Sequence, residues 1–316
     1  KRQAMGGDSA PEEVVKGAIL AKKEGVDVIL SGDENLIKSY LGNEKIPVIN
    51  YPQVISMDDD PARAIRSNKD SSIIGALNLV KEKKADAVFS AGSTGATLIG
   101  AISVLGKIKG VTRPTIASVL PGKEKEVILV DSGANLEVKP KVLYQFAIMG
   151  SKLSELLFDI ENPRIGLINN GEESSKGREL EKATFKLLKS SQLNFIGNVE
   201  GKDFANSKVD VFVTDGFTGN VVLKTLQGVA KLQQDLISKS LRENLFKPLL
   251  IPVKNAISPV KSMLNPNSTN GSYLLGVNGL VIIGHGSSNS EAIKNALLFT
   301  SRAVEKRFIN KFTEVS

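Results

Sequence analysis

Five times in this chain a short apolar run stops at a polar turn bearing glycine, and a helical pattern follows. The turns are SAGSTGA (90–96), DSGAN (131–135), NNGEESSKG (169–177), DGFTGN (215–220) and GHGSSN (284–289). A strand feeding such a turn feeding a helix exposes free backbone N–H groups and the positive end of the helix dipole, a ready place for an anion. One such turn is only a turn. Five, with Asp, Asn, Lys and His beside the glycines, point to a shared phosphate-type site, because doubly wound sheets bind ligands beyond the carboxyl ends of their strands. No turn matches G-x-G-x-x-G or G-x-x-x-x-G-K-[ST], so the dinucleotide and nucleotide-triphosphate fingerprints are absent.

The strands read as Val26–Leu30, Ile46–Ile49, Ala87–Ser90, Thr115–Leu120, Glu126–Val130, Arg164–Ile168, Asn194–Val199, Val209–Val213 and Leu280–Ile283. Helical patterns lie between most of them. This alternation predicts an α/β fold: a doubly wound, mostly parallel sheet with helices on both faces. At 41% hydrophobic residues the chain has ample apolar material for such a core.

The absence of cysteine removes disulfides, Cys–zinc sites and a Cys-acyl intermediate, and a single histidine, His285, removes multi-His metal sites. No cofactor is expected. Asp58, Asp59 and Asp60 stand together and read either as a metal cluster or as a solvated loop with helix-start charge. Net charge is +7, which suits an acidic partner or an anionic membrane. With no Trp and 5% aromatics, base-stacking platforms and hence nucleic acid are not expected.

The rhythm breaks once. Residues 238–278 read as an inserted helical hairpin between an α/β core (1–237) and its return (279–316). Lys247, Lys254 and Lys261 lie among Leu250, Ile251 and other apolar residues, and Pro248, Pro252 and Pro259 divide the stretch. An apolar face beside spaced bases fits an anionic membrane surface, an acidic partner or a homodimer interface.

The segments AMGGD, SAGSTGA, VDSGAN, NNGEESSKG, TDGFTGN-VVLKT and LLGVNGLVIIGHGSSN, in this order over nearly the whole chain, resemble the bacterial phosphate acyltransferases of the PlsX family. There are departures. KRQ stands where the family has its first strand, Ser9 where His is usual, Ser93 where Asn is common, and Asn270-Gly271-Ser272-Tyr273 replaces a more usual Gly-Gly-Ala-Pro run.

The resemblance implies a homodimeric, Rossmann-like enzyme, cytoplasmic and peripheral on the membrane. It would convert long-chain acyl-acyl carrier protein and inorganic phosphate to acyl-phosphate and free carrier. The product would pass to a membrane glycerol 3-phosphate acyltransferase. Phosphate is itself the nucleophile, so the site must hold an anion against the thioester and stabilise an oxyanion. Lys176 is the expected cation. Asn220 orients phosphate or carbonyl, or only caps its helix. His285 donates a proton, or is only structural. Gly92, Ser93, Thr94 and Gly95 are expected phosphate donors. Gly133, Asn135, Gly171, Glu172, Gly216, Gly219, Gly286 and Ser287 are expected to line the substrate site, with Asp131 and Asp215 orienting Lys176 or a backbone turn. Transfer to a short acyl-CoA, a non-catalytic phosphate- and lipid-binding scaffold and a dinucleotide dehydrogenase are the alternatives.

Overall fold

Among the residues that the computed structural model describes (2–3, 5–244, 271–306, 308 and 312), eleven strands form one sheet. In chain order they are β1 (Arg2–Gln3), β2 (Leu30–Gly32), β3 (Val48–Asn50), β4 (Ala87–Ser90), β5 (Thr115–Leu120), β6 (Val127–Val130), β7 (Ile165–Ile168), β8 (Phe195–Val199), β9 (Val211–Val213), β10 (Ser272–Leu275) and β11 (Leu280–Ile283). The helices are α1 (Glu12–Lys23), α2 (Glu34–Leu41), α3 (Pro61–Ser67), α4 (Ser72–Lys81), α5 (Thr94–Leu105), α6 (Pro140–Phe158), α7 (Glu179–Lys189), α8 (Gly216–Asn244) and α9 (Ser290–Glu305). The mixed α/β architecture expected from the alternation is present.

The strand order is β3-β2-β1-β4-β11-β10-β5-β6-β9-β7-β8. The first five of these are mutually parallel, and so are the last four. Between them β10 and β5 pair antiparallel with every neighbour. The two parallel groups therefore run in opposite directions. Their register puts Ser90, Ile283, Ser272, Ser118, Leu129 and Phe212 side by side. Ser90 and Ile283 end their strands and Leu129 is one residue from the end of its own, so both groups aim their carboxyl ends at one level, above β10 and β5.

Alternation along each strand assigns the two faces. Ala87, Phe89, Ala117, Ile128, Val130, Tyr273 and Ile282 join α1, α6 and α9 in the main apolar core. On the opposite face Val88, Ile116, Leu274, Val281 and Ile283 pack with α4 and α5, while Leu120, Val127, Leu129 and Phe212 pack in a separate cluster with Leu223 of α8. The apolar covering of this face is thus split, and between its halves Ser118 and Ser272 occupy positions where the pattern elsewhere places aliphatic side chains.

Several elements differ from the sequence expectation. The strand expected at Val26–Leu30 begins only at Leu30 and runs to Gly32. KRQ does form a strand: Arg2 and Gln3 pair with both β2 and β4. The tetrapeptide Ser272–Leu275, assigned from sequence to the inserted hairpin, is β10 at the centre of the sheet. Residues 238–244 continue α8, and residues 245–270, including Lys247, Leu250, Ile251, Lys254 and Lys261, lie outside the described residues. Of the triple acid, Asp60 caps α3 by accepting from Arg63 N at 2.7 Å and Asp59 accepts from Ser56 N at 2.8 Å. Among the described residues no group of carboxylates and His has the makings of a metal site, and no helix is long and apolar enough to cross a membrane.

Candidate functional site

Where the apolar covering splits, a cleft of about 320 Å³ opens. Thr94 at the start of α5 borders one side. Asn220, Leu223, Lys224 and Gln227, on one face of α8, border the other. Ser132 and Gly133 follow β6, Gly284, His285 and Ser288 follow β11, and Ser118 and Ser272 line the β5/β10 side. Asn220 and Lys224 stand one helical turn apart, so both side chains reach the same cleft.

The turns that carry these residues are built by their own buried polar groups. Asp131 is buried and accepts from the backbone N–H of Gly133 (3.0 Å), Ala134 (2.8 Å) and Asn135 (2.8 Å) and from Asn135 Nδ2 (2.8 Å). Burial pushes its pKa up against these donors. Asp215, also buried, accepts from Thr218 N at 2.8 Å and pairs with Arg178, tying the turn after β9 to the loop after β7. Each carboxylate thus fixes a backbone turn. Gly216 and Gly219 serve the approach of one turn to another: a Cβ at Gly219 would lie 1.8 Å from the Asp131 carbonyl oxygen, and one at Gly216 2.6 Å from the Asn135 carbonyl oxygen.

His285 stands against the cleft face of α8. Ser287 N lies 3.3 Å from its Nδ1 and Ser287 Oγ 2.7 Å. Ser287 N–H can donate to Nδ1 and Lys224 Nζ can donate to Nε2, and a neutral ring accepts at only one of its two nitrogens. Lys224 Nζ is 3.4 Å from that Nε2. Lys224, which has donors only, is satisfied in this cleft by an anionic oxygen. Burial, then the nearby Lys224 charge, lower the His285 pKa, and Asp8 partly opposes them. The lowered pKa favours the neutral ring over the cation.

The expected site residues divide. Thr94, Gly133, Asn220 and His285 come together in the cleft, with Ser287 behind His285. Ser93 caps α5 through Ala96 N, Gly92 N donates to Ser90 Oγ, and Gly95 leaves room for Pro61. Asn135 Nδ2 is held by the Pro114 carbonyl and Asp131, and the Gly286 carbonyl accepts from Asp8 N. Gly171 packs beside the stem of Lys176, and Glu172 pairs with Lys208 at 3.0 Å. Lys176 is exposed on that same loop and does not line the cleft. Three strand steps separate β5 from β7, roughly 14 Å at the usual strand spacing.

Lys224, Ser118, Ser132 and Ser272 were not anticipated. Lys224 had a legible signal, its four-residue spacing from Asn220. The serines had only the oddity of hydroxyls inside apolar strand patterns.

A family model described as fatty acid synthesis protein matches residues 3–311. A phosphate acyltransferase from Halothermothrix orenii is 42% identical over 96% of this chain and 94% of its own. One from Pelotomaculum thermopropionicum is 44% identical over 97% of this chain and 91% of its own. Among solved structures, a phosphotransacetylase from Streptococcus pyogenes aligns with a TM-score of 0.62 at 18% identity, covering 93% of this chain and 91% of that one. A 4-hydroxythreonine-4-phosphate dehydrogenase from Klebsiella pneumoniae aligns at 0.56 with 13% identity, covering 95% and 96%. These two share the fold.

Proposed function

The chain belongs to the phosphate acyltransferase family, acyltransferases of fatty acid and phospholipid synthesis, and on that premise we propose that it passes a long acyl chain from acyl carrier protein to inorganic phosphate. The observation that carries this reading is the meeting of Lys224, Asn220, His285 and Gly133 in one cleft. A phosphate oxygen attacks the thioester carbonyl, the carbonyl π pair moves to oxygen, and collapse of the tetrahedral adduct expels the carrier thiolate. Acyl-phosphate and free carrier are the products.

In this reading Lys224 offsets the phosphate charge and the N–H of the neutral His285 ring donates to a second phosphate oxygen. The Asn220 amide offers a donor to the developing oxyanion, a role whose loss costs about 10²–10³ in rate. No protein nucleophile is needed, in keeping with a chain that has no cysteine. The homodimer, the anionic membrane surface and the downstream glycerol 3-phosphate acyltransferase remain part of the proposal on the resemblance alone. Docking of the acidic carrier on the basic stretch near Lys247 and Lys261 rests on the charge of that stretch in the sequence.

Incubation with palmitoyl-acyl carrier protein and labelled phosphate tests the reading. With no thiol in the chain, every thiol released is the carrier's. Phosphate-dependent release with labelled acyl-phosphate is expected; release from acetyl-CoA in preference to the carrier thioester would give the reaction to a short acyl-CoA. The lysines separate cleanly. Lys224→Ala is expected to lose about 10²–10³ in turnover, and Lys176→Ala less than about tenfold, as befits a side chain outside the cleft. The opposite order would return the cation's role to Lys176.

A further inference from the structure

Three hydroxyls along the cleft form a chain whose direction can be counted. Ser132 Oγ lies 3.1 Å from the Ile116 carbonyl oxygen, which can only accept, so the single Ser132 proton goes there. Ser118 Oγ lies 2.8 Å from Ser132 Oγ and must therefore donate to it. Ser272 Oγ lies 2.8 Å from Ser118 Oγ, whose proton is already spent, so Ser272 donates in turn. The order is Ser272 to Ser118 to Ser132 to the Ile116 carbonyl. Ser118 and Ser132 are buried, while Ser272 is partly open. At the end of the chain the Ser272 oxygen has committed its only proton inward and turns lone pairs to the cleft.

The opposite side of the cleft is of the other kind. Lys224 Nζ can only donate there, and it calls for an anionic oxygen. A ligand matched to both sides is an anion that also carries a hydroxyl. Inorganic phosphate near neutral pH keeps a P–OH proton; sulfate has the same shape but none. We propose that Ser272, held as an acceptor by Ser118 and Ser132, reads the P–OH of hydrogen phosphate and selects it against fully deprotonated oxyanions. Ser272 is a specificity-determining residue and the two inner serines are positioning residues. The inference rests on the phosphate-binding part of the function proposed above and deepens it.

The test compares phosphate and sulfate in two ways. One is equilibrium binding, followed on the single His285 imidazole resonance. The other is the phosphate KM and the sulfate inhibition constant in the thiol-release assay. The wild-type chain is expected to prefer phosphate by at least about tenfold, the size of one hydrogen bond to a charged group. In Ser272→Ala, phosphate should weaken about tenfold with sulfate unchanged. In Ser118→Ala the Ser272 proton is released toward the cleft, so sulfate should bind more tightly while phosphate changes little. A merely structural role would move both anions together. Equal affinities in the wild type, or a selectivity left intact by both substitutions, would overturn the inference. Selective phosphate binding without thiol release would instead overturn the acyl-transfer reading and leave the role of Ser272 supported.

Discussion

His285 is the only histidine in the chain, so one imidazole resonance reports its protonation without assignment. Burial and then Lys224 hold its pKa below the ordinary value of 6.5. Lys224→Met removes the repulsion and should move the titration midpoint upward; an unchanged midpoint would contradict the 3.4 Å approach of the two side chains. The sign for stability follows. A ring whose folded pKa is depressed adds stability that is complete above the unfolded value and is lost as pH falls through the folded one. The residue types at the turns were legible, because glycine, Asp and Asn beside a strand end have few other uses. Their division of labour was not. Asn135 looks like a ligand in a string of letters, and the structure spends its amide on the Pro114 carbonyl and Asp131, while Asp131 and Asp215, expected to orient Lys176 or a backbone turn, hold backbone N–H groups and Arg178.

At the scale of elements, the cleft depends on how closely the turns after β6 and β9 approach. Gly219 sets that approach, since a Cβ there would meet backbone at 1.8 Å and backbone does not yield as a flexible side chain does. Gly219→Ala should cost about 1–3 kcal/mol in thermal or denaturant unfolding and about 10²-fold in turnover through misplacement of Asn220. Stability or activity close to wild type would show that the turns can part without harm. Most elements could be read from apolar periodicity and caps: Ser93 opens α5 and Asn289 opens α9, as their positions before apolar-periodic runs suggest. The strand β10 could not be placed, because its four residues follow a proline-broken basic stretch. What makes Ser272–Leu275 a strand is hydrogen bonding to both β5 and β11.

The whole molecule is two parallel groups of strands running against each other, and the β6-β9-β7-β8 group is tied down by charge. Asp210, just before β9, accepts from Arg164 N at 2.7 Å and from the Arg164 guanidinium at 3.1 Å, and pairs with Lys125 of the β5–β6 turn at 2.6 Å. Burial alone would raise its pKa; the two cations outweigh burial and hold it below the ordinary aspartate value of 3.8. This carboxylate therefore adds stability that is complete above that value and disappears as pH falls through the lower folded-state value. Asp210→Asn should lower unfolding stability at pH 7 by about 1–3 kcal/mol. The difference from wild type should close as acid titrates Asp210. A gap that stayed constant down to strong acid would assign the loss to packing. The sequence by itself determined the alternation of strands and helices, the turns where a ligand could sit and the absence of thiol chemistry, because periodicity, glycine and composition are local properties. Only the tertiary structure decided which turns meet. The reversal at β10 and β5 brings the carboxyl ends of both groups to one level, places Lys224 rather than Lys176 beside His285, and aligns three serines from separate elements into one hydrogen-bonded chain. Those are facts of register and long-range pairing, which no window of sequence contains.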